Sequence, residues 1–194
     1  DSQILEPTVR AQLLYRVLLF VHLLRDRLRE KVSLALPYEE KVGFSGDDFQ
    51  RLSSHLNGSQ WVLEQIQADL VVLYRKQVLS DIIYQGLTEH ICRLGDVQAG
   101  CDRILSTPLP FSYSVLLHRA VYSFCLLLPF ILATNLGFWT PLLVGLISYL
   151  FLGLDALSQE LEEPFGLAKN ALSLDAMVCL ITKEMGNSLG HEIS

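Results

Sequence analysis

Ala120–Leu154 reads AVYSFCLLLPFILATNLGFWTPLLVGLISYLFLGL and contains no charged residue. One helix through this stretch would be about 50 Å long, whereas the hydrocarbon layer of a bilayer is about 30 Å thick. Turn-forming residues lie near the middle of the stretch, at Thr134, Asn135, Gly137 and Thr140-Pro141. The stretch therefore predicts two antiparallel membrane helices joined by a short turn. A buried hairpin inside a large soluble protein is the alternative.

The rest of the chain has the composition of a water-exposed protein. Of the 194 residues, 19% are charged, most of them before Arg119 or after Leu154, and the net charge is -6. This negative charge argues against nucleic acid as a partner. We predict three regions: a mainly cytosolic helical region at 1–106, whose start can be the end of a membrane helix, a transmembrane hairpin at 107–154, and a cytosolic helical segment at 155–194.

Helical periodicity extends over most of the chain outside the hairpin. Apolar residues recur at helical spacing near the start, at Val9, Leu13, Leu14, Val17, Leu18, Val21, Leu24 and Leu28. Ser45 and Ser53 are candidate N-caps of short helices. Alternating strand patterns are weak throughout, so the sequence predicts an all-α fold.

An acidic set follows the uncharged stretch directly: Asp155, Glu160, Glu162 and Glu163. Such carboxylates can form a charged ring at a pore mouth when several subunits contribute them, or they can belong to a solvated helix end. His118 and Arg119 precede the stretch and are read as interface residues that reach water, with an anion contact in a pore as the alternative.

Enzymatic chemistry has no positive support in the sequence. The histidines and cysteines lack the spacing of zinc ligands, and no phosphate-binding glycine loop or nucleophile motif occurs. We therefore predict neither an enzyme nor a metal or cofactor site.

The second half of the chain carries a set of specific motifs. These are Thr107-Pro-Leu-Pro-Phe-Ser-Tyr, His118-Arg-Ala-Val-Tyr, Gly137-Phe-Trp-Thr-Pro-Leu, Gly153-Leu-Asp-Ala-Leu and Glu160-Leu-Glu-Glu-Pro-Phe-Gly. On these residues the chain resembles the bestrophin family, in its bacterial branch. Its family motif comprises Glu160, Glu163, Pro164, Phe165 and Gly166.

The resemblance implies an all-helical homopentamer around a central ion pathway, placed in the cell inner membrane with its helical region in the cytosol. Its partners would be membrane lipid, further copies of the chain and small inorganic ions. Most characterised animal members conduct anions such as chloride, whereas bacterial relatives can prefer cations such as sodium, so selectivity stays open here. A helical membrane scaffold that conducts nothing is the alternative function.

The resemblance also implies two constrictions in the ion pathway. The hydrophobic neck would lie on an earlier membrane helix, in a portion expected before residue 1. The cytosolic aperture would be formed by Ile83, with Ile82 as the neighbouring alternative, and either isoleucine could instead belong to a helix core.

One segment departs from the calcium-regulated members of the family. Those members follow the Pro-Phe-Gly element with a run of aspartates, and a calcium ion needs several such oxygen ligands. Here Gly166 is followed by Leu167-Ala-Lys-Asn-Ala. We therefore expect a channel that calcium does not gate.

Overall fold

The computed structural model describes residues 6–30, 39–107, 111–162, 164–167 and 171–189. Its α-helices are α1 (Pro7–Leu28), α2 (Glu39–Val42), α3 (Gly46–Ser54), α4 (Gly58–Arg75), α5 (Asp81–Ser106), α6 (Phe111–Leu136), α7 (Thr140–Glu162) and α8 (Leu174–Leu189). A 3-10 turn at Gly137–Trp139 joins α6 to α7. The described residues contain no β-strand, so the all-α prediction is confirmed.

The chain divides into two compact units. The first extends to Arg103 and includes the segment from Ser173 onward, and the second is Ile104–Leu172. The second unit contains the predicted hairpin. Its second helix continues past Leu154 to Glu162, because the chain keeps its helical pattern until the proline at position 164.

The core of the first unit forms where α1 packs on α4. Leu18 and Leu19 of α1 and Val62 of α4 are fully buried, and Trp61 and Ile66 lie beside them. Tyr15, Leu18 and Leu19 on α1, and Val62 and Ile66 on α4, follow the three- or four-residue spacing of one helix face, so each helix turns an apolar face toward the other. The same core receives Val42 from α2 and Leu52 from α3.

Arg16 is a cation on the otherwise apolar face of α1. Its guanidinium lies 4.5 Å from the centre of the Phe44 ring, donates through Nε to the Val42 carbonyl at 3.1 Å and forms an ion pair with Asp69. Burial lowers the pKa of this guanidinium, and the charge of Asp48 opposes the shift. The arginine therefore fastens α2 and α4 to α1 while its charge stays compensated.

The basic end of α1 also contacts α8. Arg25 and Arg29 both pair with Asp175 in the first turn of α8, and the Arg25 contact spans 3.4 Å. A carboxylate in a first turn is favoured by the positive end of the helix dipole, and cations in a last turn by the negative end. The ion pairs therefore place a negative charge at the start of α8 and positive charges at the end of α1, as both helix dipoles favour.

Only one of the two predicted serine caps is an N-cap. The Ser45 hydroxyl accepts from the backbone N–H of Asp48 at 3.4 Å, while the Asp48 carboxylate accepts from the backbone N–H of Ser45 at 3.0 Å. Hydrogen bonds from the Ser45 backbone and side chain hold the pKa of Asp48 below its usual value. The prediction for Ser53 is wrong, because Ser53 lies inside α3 and donates to the Gln50 carbonyl.

In the second unit, α6 and α7 run side by side as a hairpin. Gly137 adopts a positive φ of 51° where the chain reverses, a conformation that glycine takes without steric cost. The rings of Phe124 and Phe151 lie 5.0 Å apart across the helices. Pro129 lies within α6, although proline removes a backbone hydrogen bond from a helix.

Candidate functional site

The hairpin has the dimensions of a membrane-spanning pair. Tyr113–Ala133 and Gly137–Glu162 are 21 and 26 residues long, and only 11% of the most apolar window of each is buried inside the protein. At 1.5 Å per residue they extend over about 32 and 39 Å, enough to cross a hydrocarbon layer about 30 Å thick. Large apolar side chains on both helices face outward, among them Leu126, Phe130, Ile131, Leu146, Tyr149 and Leu150. A core hairpin of a soluble protein would bury these faces.

The two predicted aperture residues differ sharply in exposure. Ile82 lies in the first turn of α5 and is 84% exposed. Ile83 is half-buried and lines a cleft of about 670 Å³ formed by the connection between α4 and α5. Leu79, three residues before Ile82, is buried.

The connection between α4 and α5 has a ring stack, a side-chain hydrogen bond and one residue with a positive φ. The rings of Tyr74 and Tyr84 stack with their centres 4.5 Å apart, and Gln77 adopts a positive φ of 55°. A hydrogen bond between Tyr74 and Asp81 raises the pKa of the Tyr74 phenol. These contacts define the position from which α5 begins and from which Ile82 projects.

The carboxylates of the acidic set at the end of α7 lie in different environments. Asp155 is 5% exposed and lies between α6 and α7, whereas Glu160 lies at the surface of α7. Glu162 is half-buried and accepts a hydrogen bond from the Ser114 hydroxyl at 2.8 Å. Glu163 lies outside the described residues. A charge at a pore mouth must reach solvent, so within this protomer Glu160 meets that condition and Asp155 does not.

Asp155 faces a polar cluster between the two membrane helices. Its Oδ1 lies 3.4 Å from Nδ1 of His118, and that nitrogen is 2.9 Å from the Ser114 carbonyl oxygen. Gln159 completes the cluster, with its side-chain nitrogen 2.5 Å from Nε2 of His118. Sequence reasoning named His118 and Asp155 but did not pair them. The sequence was sufficient to predict this pairing, because His118 and Asp155 lie at nearly equal separations before and after Gly137, and such residues face each other across a hairpin.

The Pro-Phe-Gly element follows the hairpin as a turn. Phe165 is buried, whereas Pro164 is exposed. The Leu172 backbone N–H donates to the Pro164 carbonyl at 2.8 Å, which closes the segment on itself. Among the described residues, no group of three or more His, Cys, Asp or Glu side chains could hold a metal ion.

A family model described as Bacterial/Fungal Bestrophin protein matches residues 3–187. The chain belongs to this bestrophin family. The resemblance inferred from the motifs is therefore confirmed, and the chain is a membrane protein of a channel family.

Bestrophin relatives share most of this chain. The voltage-dependent anion channel-forming protein YneE of Salmonella typhi is 37% identical over 179 residues, which are 91% of this chain and 56% of the relative. The Escherichia coli K12 protein of the same name is 40% identical over 160 residues, 81% of this chain and 51% of the relative. The chain spans about half the length of these curated relatives.

A solved bestrophin homologue from Klebsiella pneumoniae has the same fold. It superposes with a TM-score of 0.87 at 31% identity, covering 96% of this chain and 68% of the homologue. Solved variants of that homologue replace a leucine, the aspartate two positions later, and a tyrosine further along; this chain has Leu79, Asp81 and Tyr113 at the same spacing.

Proposed function

We propose that this chain is part of a homopentameric channel that conducts anions passively across the cell inner membrane. The observation that carries the proposal is a membrane hairpin with outward apolar faces in a bestrophin whose relatives are named voltage-dependent anion channel-forming proteins. A passive pathway needs a ring of symmetric linings, and a protomer of this size supplies one by assembling with further copies.

The hairpin would form the wall that meets lipid. Its exposed leucines and phenylalanines suit hydrocarbon, and Trp139 and Phe138 at the turn suit the membrane interface, where aromatic side chains collect. The helices of the first unit would lie in the cytosol. This arrangement makes the protein multi-pass and gives it membrane lipid as a partner.

The cytosolic aperture would be formed by Ile82 rather than Ile83. A constriction needs an apolar side chain from each subunit that is not already packed within its own protomer. Ile82 satisfies this condition at the start of α5, whereas Ile83 contributes to the cleft beside Tyr74. A ring of isoleucines would restrict ion passage by excluding water.

Anion selectivity is supported by the names of the relatives, and a preference for cations such as sodium is the competing outcome. The exposed Glu160 would attract cations if it lined the pathway. Reversal potentials of the full-length protein in planar bilayers, measured with asymmetric potassium chloride, separate the two. Values near the chloride equilibrium potential support the proposal, and values near the cation potential overturn the selectivity.

A scaffold that conducts nothing is the rival function. It predicts that liposomes holding the full-length protein pass neither chloride nor sodium, although the protein is inserted and oligomeric. Flux assays with fluorescent chloride and sodium reporters decide between the two functions. Mass determination of the detergent-solubilised oligomer serves as the control for assembly, and a stoichiometry other than five contradicts the pentamer.

A further inference from the structure

The polar cluster inside the hairpin has a feature that the channel proposal does not use. Asp155 is buried between two apolar helices, and its Oδ1 has no hydrogen-bond partner. A carboxylate in such surroundings is unfavourable unless a positive charge compensates it, and ionisable groups at membrane depth are usually functional. Within the part of the chain that the structure describes, the His118 ring lies against this carboxylate, with Nδ1 3.4 Å from Oδ1.

We propose that His118, Asp155 and Gln159 form a proton-binding site that ties α6 to α7 more strongly when His118 is protonated. The first step concerns the neutral ring. The Ser114 carbonyl oxygen can only accept a hydrogen bond, so Nδ1 of His118, 2.9 Å away, carries a proton in either charge state. The neutral ring is therefore the Nδ1–H tautomer.

The second step concerns the opposite ring nitrogen. In the neutral ring, Nε2 accepts a hydrogen bond from the Gln159 side-chain nitrogen at 2.5 Å. When Nε2 binds a proton it becomes a donor. The Gln159 amide can then rotate so that its oxygen accepts the hydrogen bond from the ring. Gln159 therefore satisfies Nε2 in both states, and its amide orientation follows the proton.

The third step concerns charge. The added proton places a positive ring 3.4 Å from Oδ1 of Asp155, so the Asp155 carboxylate, which faces an uncharged ring beforehand, becomes one member of a buried ion pair. Among the described residues of α6 and α7, the other titratable or charged ones at this end of the hairpin are Tyr113, Arg119 and Tyr122 on α6 and Glu160 and Glu162 on α7. Of these, Glu162 is bound to Ser114, and the Tyr122 ring lies 6.4 Å from the His118 ring.

Nuclear magnetic resonance of the full-length protein with nitrogen-15 histidine tests the proton site directly. The His118→Gln variant identifies the signals of His118. We expect the neutral ring to carry its proton on Nδ1 and the positively charged ring to carry protons on both nitrogens. A neutral ring protonated on Nε2 overturns the proposal.

Backbone hydrogen exchange tests how strongly α6 and α7 are held together. After correction for the intrinsic effect of pH, amides in 113–122 and 155–162 should be protected at least threefold more at pH 6 than at pH 8. His118→Gln and Asp155→Asn should each remove this difference, and His55→Gln, an exposed histidine in the first unit, should retain it. A difference that persists in His118→Gln contradicts the site.

A third variant covers the case in which Asp155→Asn fails to fold. Gln159→Glu retains an acceptor for the protonated ring, so the greater protection at pH 6 should persist in this variant. Loss of the difference in Gln159→Glu contradicts the role assigned to the oxygen of the Gln159 amide. These experiments measure protonation and helix packing in the hairpin and do not measure ion flux. A negative result therefore contradicts the proton site and leaves the channel proposal untouched. Likewise, a protein that conducts no ions would contradict the channel proposal and leave the proton site untouched.

Discussion

Nε of Arg27 on α1 donates to Oδ1 of Asp102 on α5 at 2.8 Å, across 75 positions of sequence. The same guanidinium donates through a terminal nitrogen to the Leu56 carbonyl at 3.1 Å. One side chain therefore joins α1, α5 and the loop between α3 and α4. Both members of the ion pair are about a third exposed or less, so solvent screens the pair only in part.

We expect Arg27 and Asp102 to be energetically coupled. A double-mutant cycle with Arg27→Ala and Asp102→Ala, followed by chemical denaturation in detergent, should give a coupling of about 1 kcal/mol. The exposed pair Glu89 and Arg93, one turn apart on α5, is the matched control and should couple by about 0.3 kcal/mol. Additive effects of Arg27→Ala and Asp102→Ala would show that the pair is merely adjacent.

The two isoleucines at the start of α5 should respond differently to truncation. Ile82→Ala is expected to raise single-channel conductance or change ion preference, because it widens a ring built from exposed side chains. Ile83→Ala should leave conductance unchanged and lower stability, because it removes apolar contacts beside the α4–α5 connection. Planar-bilayer recordings and thermal unfolding measure both effects. The reverse pattern would assign the aperture to Ile83.

Calcium should leave the channel current unchanged. The Pro-Phe-Gly element continues into Leu167-Ala-Lys-Asn, which supplies no carboxylate, and calcium prefers six to eight oxygen ligands. Currents of the full-length protein in planar bilayers should stay constant as free calcium rises from about 10 nM to about 100 μM, a range that covers the affinities of intracellular calcium sensors. A steep activation in this range contradicts the expectation.

Ser45 should contribute to stability through its N-cap and Ser53 should not. Ser45→Ala removes the acceptor for the Asp48 N–H at the start of α3 and should cost about 1 kcal/mol. Ser53→Ala removes only a hydroxyl that donates to the Gln50 carbonyl within the same helix. Its cost should lie within about 0.5 kcal/mol of zero, as for most surface substitutions. Equal losses in denaturation experiments would exclude a specific role for the cap.

His22 should make the protein less stable in acid. Burial lowers the pKa of His22, and Arg25 lowers it further, although Asp26 raises it. The unfolded chain then binds a proton more readily than the folded one, so the stabilising contribution exists above the ordinary histidine value of 6.5 and is lost as pH falls below it.

The measurement is the melting temperature of the full-length protein between pH 7.5 and pH 5. His22→Gln should reduce the loss on acidification, because glutamine takes up no proton. His55→Gln, which alters an exposed histidine, should leave the loss as in the native protein. If both variants lose stability equally with pH, His22 is not the group responsible.

Local patterns were sufficient to predict the hairpin and the helices. The turn lies at Gly137 because a glycine with polar residues nearby, at Thr134, Asn135 and Thr140, interrupts an apolar run, and helix α7 ends before Pro164 because proline cannot continue it. Ser53 was misassigned because serine favours N-caps in general, and only the position of α3 shows that it is interior. Pro129 received no structural assignment at all, although it lies within α6.

The family and the membrane hairpin were determined by the sequence alone, because apolar length, turn residues and motif spacing are properties of neighbouring residues. The environments of Ile82, Ile83 and Asp155 were decided only by tertiary structure. One residue along a helix rotates a side chain by about 100°, which separates an exposed isoleucine from a half-buried one. Asp155 does not face solvent within this protomer, because the packing of α6 on α7 places it against His118.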